Sequence, residues 1–201
     1  MSRRPALAAL GAALLAVLAT GCSGVAPGAT GFGGGRSPQC SSRGFAGSNT
    51  VVLMAQAVPS ATQLPCIRLL PAGWTFGGAD VARGVGRFWL NNDRAGLRSV
   101  QVSLTAGCDV SGLRPVPSDE EGTDRYERIQ SLQGGYAGER LYVFPGGCAT
   151  YRFRLAGPLR AAPLNEASLA LGFVSRAALR ATVNEAYRGH AELDPPAGGG
   201  R

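Results

Sequence analysis

The sequence predicts an α+β domain: a mostly antiparallel sheet of five to six strands, covered by a C-terminal helix and stapled by two disulfides. Three observations carry this. Apolar residues recur at every second position in several runs between residues 74 and 173, joined by short turns, as in antiparallel strands that bury one face. One segment, 176–188, switches to three- and four-residue spacing, the period of a helix. Besides Cys22 near the N-terminus, the cysteines are Cys40, Cys66, Cys108 and Cys148, an even set.

The elements follow in order. Ser48 and Asn49 can cap a short helix over 50–57, which Pro59 stops. Leu64-Pro65-Cys66-Ile67 and Leu69-Leu70-Pro71-Ala72-Gly73 are apolar but broken by prolines, and read as extended packing segments. Residues 74–81 and 85–90 flank Arg83-Gly84, a hairpin turn. Residues 99–105 form the cleaner strand, with Val100, Val102 and Leu104 on one face; 91–96 is the polar turn before it. Residues 113–123 read as a loop and 124–130 as a weak strand, whose Arg125, Glu127 and Arg128 can pair across to neighbours. Phe144-Pro145-Gly146-Gly147 places Pro and Gly as a type II turn requires. It joins 139–144 to 148–155, where Ala149, Tyr151, Phe153 and Leu155 alternate with Thr150, Arg152 and Arg154. Residues 156–163 read as a loop, and Leu169, Leu171 and Phe173 as a last strand. Ser175 caps the helix 176–188, with Leu179, Val183, Ala186 and Tyr187 as its apolar stripe and Gly189 as its stop.

The N-terminus predicts export. Arg3 and Arg4 precede an uncharged Ala/Leu run, 6–18, too short to span a bilayer as a helix. Ala19-Thr20-Gly21-Cys22 follows, and this ending resembles the lipobox of bacterial lipoproteins. Ala19 stands where that family prefers Leu, with Leu18 one step further out. The resemblance implies acylation of Cys22 and cleavage just before it; an ordinary secretory signal with an incidental cysteine is the alternative. The domain plan is then a signal peptide at 1–21, a Gly-rich flexible tether at 22–38, one domain at 39–190 and a disordered tail at 191–201.

Outside the cytoplasm, four cysteines argue for disulfides. Of the three possible connectivities, Cys40–Cys66 and Cys108–Cys148 close loops of moderate length and are the pairing expected. No Cys-x-x-Cys occurs and there is one histidine, His190, so neither a thioredoxin-like site nor a zinc site fits. The run Asp119-Glu120-Glu121 lacks the alternating spacing of an EF-hand loop and reads as solvated. No metal or cofactor is expected.

All 20 basic residues are Arg, which excludes P-loop, Schiff-base and Ser-x-x-Lys chemistry. The formal net charge is +7, of which Arg3 and Arg4 contribute two. Such a balance suits anionic headgroups or wall polymers as partners, and equally a solvated Arg-rich surface with none; no nucleic-acid partner is expected. Arg87, Arg152 and Arg154 alternate out of apolar strands. On neighbouring strands they would make a guanidinium ladder for phosphate or carboxylate, the possible anion-binding residues of this chain. The plainer reading is a solvated face laced with Glu127 and Glu139. Trp74, Phe88 and Trp89 read as core. No Gly-x-Ser-x-Gly elbow accompanies His190, and no spacing pairs Asp80, Glu127 and Glu139 as glycosidase carboxylates. Leu64-Pro65-Cys66, Leu70-Pro71-Ala72-Gly73-Trp74 and Val143-Phe144-Pro145-Gly146-Gly147-Cys148 resemble actinobacterial envelope proteins, a resemblance that implies no function. The expected function is a non-enzymatic, membrane-anchored binding or envelope-assembly module on the extracytoplasmic face. The alternative is a cell-envelope hydrolase acting on wall or lipid material.

Overall fold

The computed structural model describes residues 36–41, 50–158 and 161–194. Cys22, residues 1–35 and the Ser48-Asn49 cap lie outside the described residues. Helix α1 (Thr50–Ala57) leads into β1 (Gln63–Ile67), followed by β2 (Trp74–Ala82), β3 (Val85–Asn92), β4 (Gly96–Thr105), β5 (Arg114–Val116), β6 (Asp124–Ser131), β7 (Gly135–Phe144) and β8 (Gly147–Ala156). Helix α2 (Ala161–Ala170), β9 (Leu171–Ser175) and α3 (Arg176–Ala186) complete the fold.

The main sheet has seven antiparallel strands in the order β2-β3-β4-β8-β7-β6-β5, not five to six. The extra strand is β5, inside the segment expected to be a loop. Its sequence, Arg-Pro-Val, has no alternation to read, and Pro115 suits it to the sheet edge it occupies. Expected strands β2, β3, β4, β7 and β8 form where alternation is clearest. The β7–β8 hairpin turns at Pro145-Gly146, and Gly146 holds φ at 72°, which a side chain would resist.

The chain leaves β4 in mid-sheet and restarts at the far edge in β5. Cys108–Cys148 pins that crossing at its start, and Cys40–Cys66 ties residues 39–41 to β1. On the chain-entropy model a bridge of this separation contributes about 4 kcal/mol.

Across β3, β4 and β8 one face of the sheet is apolar and buried: Phe88, Leu90, Val100, Val102, Leu104, Ala149, Tyr151, Phe153 and Leu155. The cover is a composite layer. α1 supplies Val51, Met54 and Ala55. β1 and β9 pair as a separate two-stranded ribbon, whose Phe173 ring lies 5.3 Å from Tyr142 and 6.0 Å from Tyr151. α2 stands where a loop and strand were expected. Pro163 falls in its first turn, where no amide partner is lost, and its buried residues are the small Pro163, Ala167 and Ala170, which leave no helical signal. Leu169, expected in the last strand, is therefore an exposed helix residue.

α3 is capped by Ser175, whose hydroxyl accepts from the Ala178 amide. It packs on β9 and buries Leu179 and Val183; Ala186 and Tyr187, expected in the same stripe, are exposed, Tyr187 being the C-cap and out of helical phase. Leu69, expected to pack, is exposed beside the turn that starts β2. The chain after α3 stays attached to 194: Leu193 is buried, Glu192 pairs with Arg180 at 2.6 Å, and the Asp194 carbonyl faces Arg176. Residues 191–194, expected from the sequence to belong to the tail, thus make contacts with the domain; 195–201 lie outside the described residues.

Candidate functional site

The uncovered face of the sheet carries the residues singled out from the sequence. Because side chains alternate along a strand, burying Tyr151, Phe153 and Leu155 points Arg152 and Arg154 outward, and both are exposed. Arg87 shares this face, but not their row. Register sets Arg87 opposite Ser103 and then Thr150, whereas Trp89, Gln101, Arg152, Glu139 and Arg128 form the next row. Strand β4 separates Arg87 from β8, so the three arginines do not form one continuous ladder. Arg87 lies 3.7 Å from Asp80, and Arg152 lies 3.5 Å from Glu139, which also pairs with Arg128. Among the described residues, Arg154 has no ionic partner.

The sequence reading missed Arg98. Its backbone has φ of 51°, and its amide donates to Asn91 Oδ1 at 2.8 Å. Its guanidinium sits 4.7 Å from the centre of the Trp89 ring, a cation–π arrangement. Trp89 is thus half-buried on the open face rather than in the core. It lies flat over β2 because a bulge places Gly78 beneath it; a Cβ there would come within 2.7 Å of the indole. Trp74 and Phe88 are core residues, and the Trp74 indole donates to Glu166 at 2.8 Å. A left-handed arginine held by an aromatic ring on a neighbouring strand leaves no local sequence signal.

The covered face carries a second polar group. Arg140, side by side with Glu127 at 2.6 Å, donates to Ser168 Oγ at 2.7 Å and lies over the Phe153 ring at 5.1 Å. Glu127 also pairs with Arg125, which reaches Asp119 at 3.0 Å. Glu127 therefore does not lace the open face, as expected, but the buried one. Burial opposes ionisation of Asp119, yet its own backbone amide, Arg125 and the Tyr142 hydroxyl outweigh it and hold the carboxyl below its ordinary value. Glu120 next to it is held above its ordinary value by burial, although Arg68 Nη2 donates to both its oxygens at 2.7 and 2.8 Å. Burial pushes the Tyr142 phenol up to about 12 and the fully enclosed Tyr151 phenol well above its ordinary value. These tyrosines stay neutral and serve packing.

Arg176 is buried, and no carboxylate among the described residues lies within ion-pair distance of it, although Asp194 is near enough to act on its charge. Its guanidinium donates instead to the carbonyls of Ala55, Val58 and Ala61 at 2.6 to 2.8 Å, closing the end of α1. It floors a cleft of about 650 Å³ shared with Arg180, Asn184 and Asp194. A smaller cleft of about 410 Å³ runs between α1 and the edge strand β2. His190 is exposed after α3, its amide bonded to the Tyr187 carbonyl. Asp80, Glu127 and Glu139 do not converge: Asp80 is on the edge strand, and Glu127 and Glu139 are on opposite faces. Among the described residues no three metal-type ligands cluster. No helix among them is long and apolar enough to cross a membrane.

No family model matches the chain, and no curated protein sequence matches it. Among solved structures it is similar to a crystal structure from Bacteroides thetaiotaomicron VPI-5482, at 12% identity and a TM-score of 0.31. The match covers 58% of this chain and 46% of that one, about half its length. A likeness of that depth carries no argument about function.

Proposed function

We propose that this protein is a non-enzymatic binding module of the cell envelope, acylated at Cys22, held on the extracytoplasmic face of the membrane, and reading anionic groups with the open face of its sheet. The observation that carries the binding surface is the pair Arg98 and Arg154. Both sit on an exposed face without a carboxylate partner among the described residues, and Arg98 is held in place by Trp89. A positioned guanidinium suits phosphate or carboxylate oxygens, with which it forms paired, charge-assisted hydrogen bonds. The two disulfides support a compartment outside the cytoplasm.

The anchor is tested by Cys22→Ala in detergent phase separation, where the variant should stay in the aqueous phase; entry into the detergent phase like wild type sinks the anchor. The binding face is tested by Arg98→Ala with Arg154→Ala against anionic wall fragments and anionic vesicles. Wild-type binding should weaken as salt rises, and the double variant should bind several-fold less. Equal binding by the two proteins refutes the face.

A further inference from the structure

We infer that the end of the open face built from Leu97, Arg98, Trp89 and Arg154 docks onto an anionic lipid bilayer, with Leu97 entering the headgroup layer and the arginines meeting the phosphates. The inference rests on the anion-binding reading above and names its partner. Three observations carry it. Leu97 is 85% exposed, the most exposed large apolar side chain described, and it adjoins Arg98. The left-handed turn at Arg98, fixed by the Asn91 carboxamide, accompanies Arg98 on the indole and Leu97 in solvent. An arginine rarely adopts this conformation, and a glycine there would be free of strain; the arginine here instead presents an exposed guanidinium, held on the indole, to that face. The local carboxylates are already matched, Glu139 by Arg128 and Arg152 and Asp80 by Arg87, which leaves Arg98 and Arg154 as the unmatched charges.

A soluble polyanion would use the arginines and leave Leu97 idle. A bilayer uses both, because an apolar side chain gains by leaving water while cations meet anionic lipid. The position of the chain agrees. The Ala57 end of α1 sits on the Arg83–Gly84 turn through the Gly84 amide, whereas the Arg36 carbonyl is held by Thr50 at the other end. Leu97 also lies at the end of the sheet away from that turn, since Asn92 pairs with Gly96 there. The chain between Cys22 and Arg36 can reach at most about 50 Å. An anchored domain therefore meets the surface at high effective concentration, and a weak patch suffices.

The test uses the full acylated chain in vesicles of phosphatidylcholine, with or without phosphatidylglycerol. The four described cysteines are in disulfides, so Leu97→Cys supplies the thiol for an environment-sensitive fluorophore. Leu169→Cys, on the exposed side of α2, is the control. The label at 97 should shift to the blue and brighten several-fold only when phosphatidylglycerol is present, and the label at 169 should not change. Adding Arg98→Ala and Arg154→Ala should remove most of the shift. A label at 97 that stays water-like on vesicle-bound protein overturns the bilayer inference. If the arginine variant nonetheless loses wall-fragment binding, the anion-binding reading survives that failure. Failure of the protein to float with either vesicle overturns both docking and anchor.

Discussion

Glu139 and Arg140 are consecutive in β7 and face opposite ways. Glu139 pairs on the open face with Arg128 and Arg152; Arg140 pairs on the covered face with Glu127, donates to Ser168 and lies over Phe153. The residue chemistry is the same on both sides, an arginine and a glutamate across an antiparallel ladder. What differs is the water around the arginines, not around the glutamates, both of which are largely enclosed. The side chain of Arg152 is 56% exposed and that of Arg140 11%. On the open face, solvent reaches the arginines Arg128 and Arg152 while Glu139 itself is buried; losing one arginine leaves Glu139 paired with the other, so each pair alone contributes little to folding and the cations stay available. Under α2 and β9, a partner left alone would be a buried charge, so the pairs are hard to remove and have no part in recognition.

The contrast can be tested by breaking each side. The largest loss should come from the apolar floor of the covered face. Phe153→Ala should cost roughly 3–5 kcal/mol in urea unfolding, the range for a large buried aromatic. Arg140→Ala should cost about 3 kcal/mol, near the low end for breaking a buried pair, because Glu127 keeps Arg125. A cost under about 1 kcal/mol would place Arg140 with the solvated pairs and undo the comparison.

Acid should separate Asp119 from Glu120. Asp119 is held below its ordinary value, so it stabilises the fold above about pH 4 and loses that contribution as pH falls through its folded value. Glu120 is held above its ordinary value, so its contribution is complete only below about pH 4 and is lost as pH rises through its folded value. Asp119→Asn should therefore lower the melting temperature at neutral pH and lose that penalty in acid, while Glu120→Gln should compare better with wild type at neutral pH than in acid. Melting curves at both pH values with the same sign for both variants would contradict this. The smallest effect belongs to the open face. Arg152→Ala with Arg154→Ala should change stability by less than about 1 kcal/mol, since Glu139 keeps Arg128. A loss of several kcal/mol would mean that water does not reach this face.

Much of the sheet is legible in the order of residues alone. Val100, Val102 and Leu104, and Tyr151, Phe153 and Leu155, alternate without interruption, and a strand with one covered face must bury them together. The Pro145-Gly146 turn is legible for the same local reason, and the even cysteine count points to two bridges. α2 is not legible, because a helix that buries proline and alanine shows no apolar stripe. The face of β6 is not legible either: Arg125-Tyr126-Glu127-Arg128 has no apolar alternation, so nothing in it says that Arg125 and Glu127 turn inward.

The candidate site divides along the same line. The chain by itself determined that Arg152 and Arg154 face away from Phe153, because the two-residue period of a strand is a property of the backbone. It could not determine that β4 would stand between Arg87 and β8, or that Trp89 would lie on Gly78 and hold Arg98. Those relations join strands whose order depends on the long connection from β4 to the far edge. Side-chain direction is decided within a few residues, but neighbours in a sheet are chosen by pairings between distant segments, and only the folded chain makes that choice.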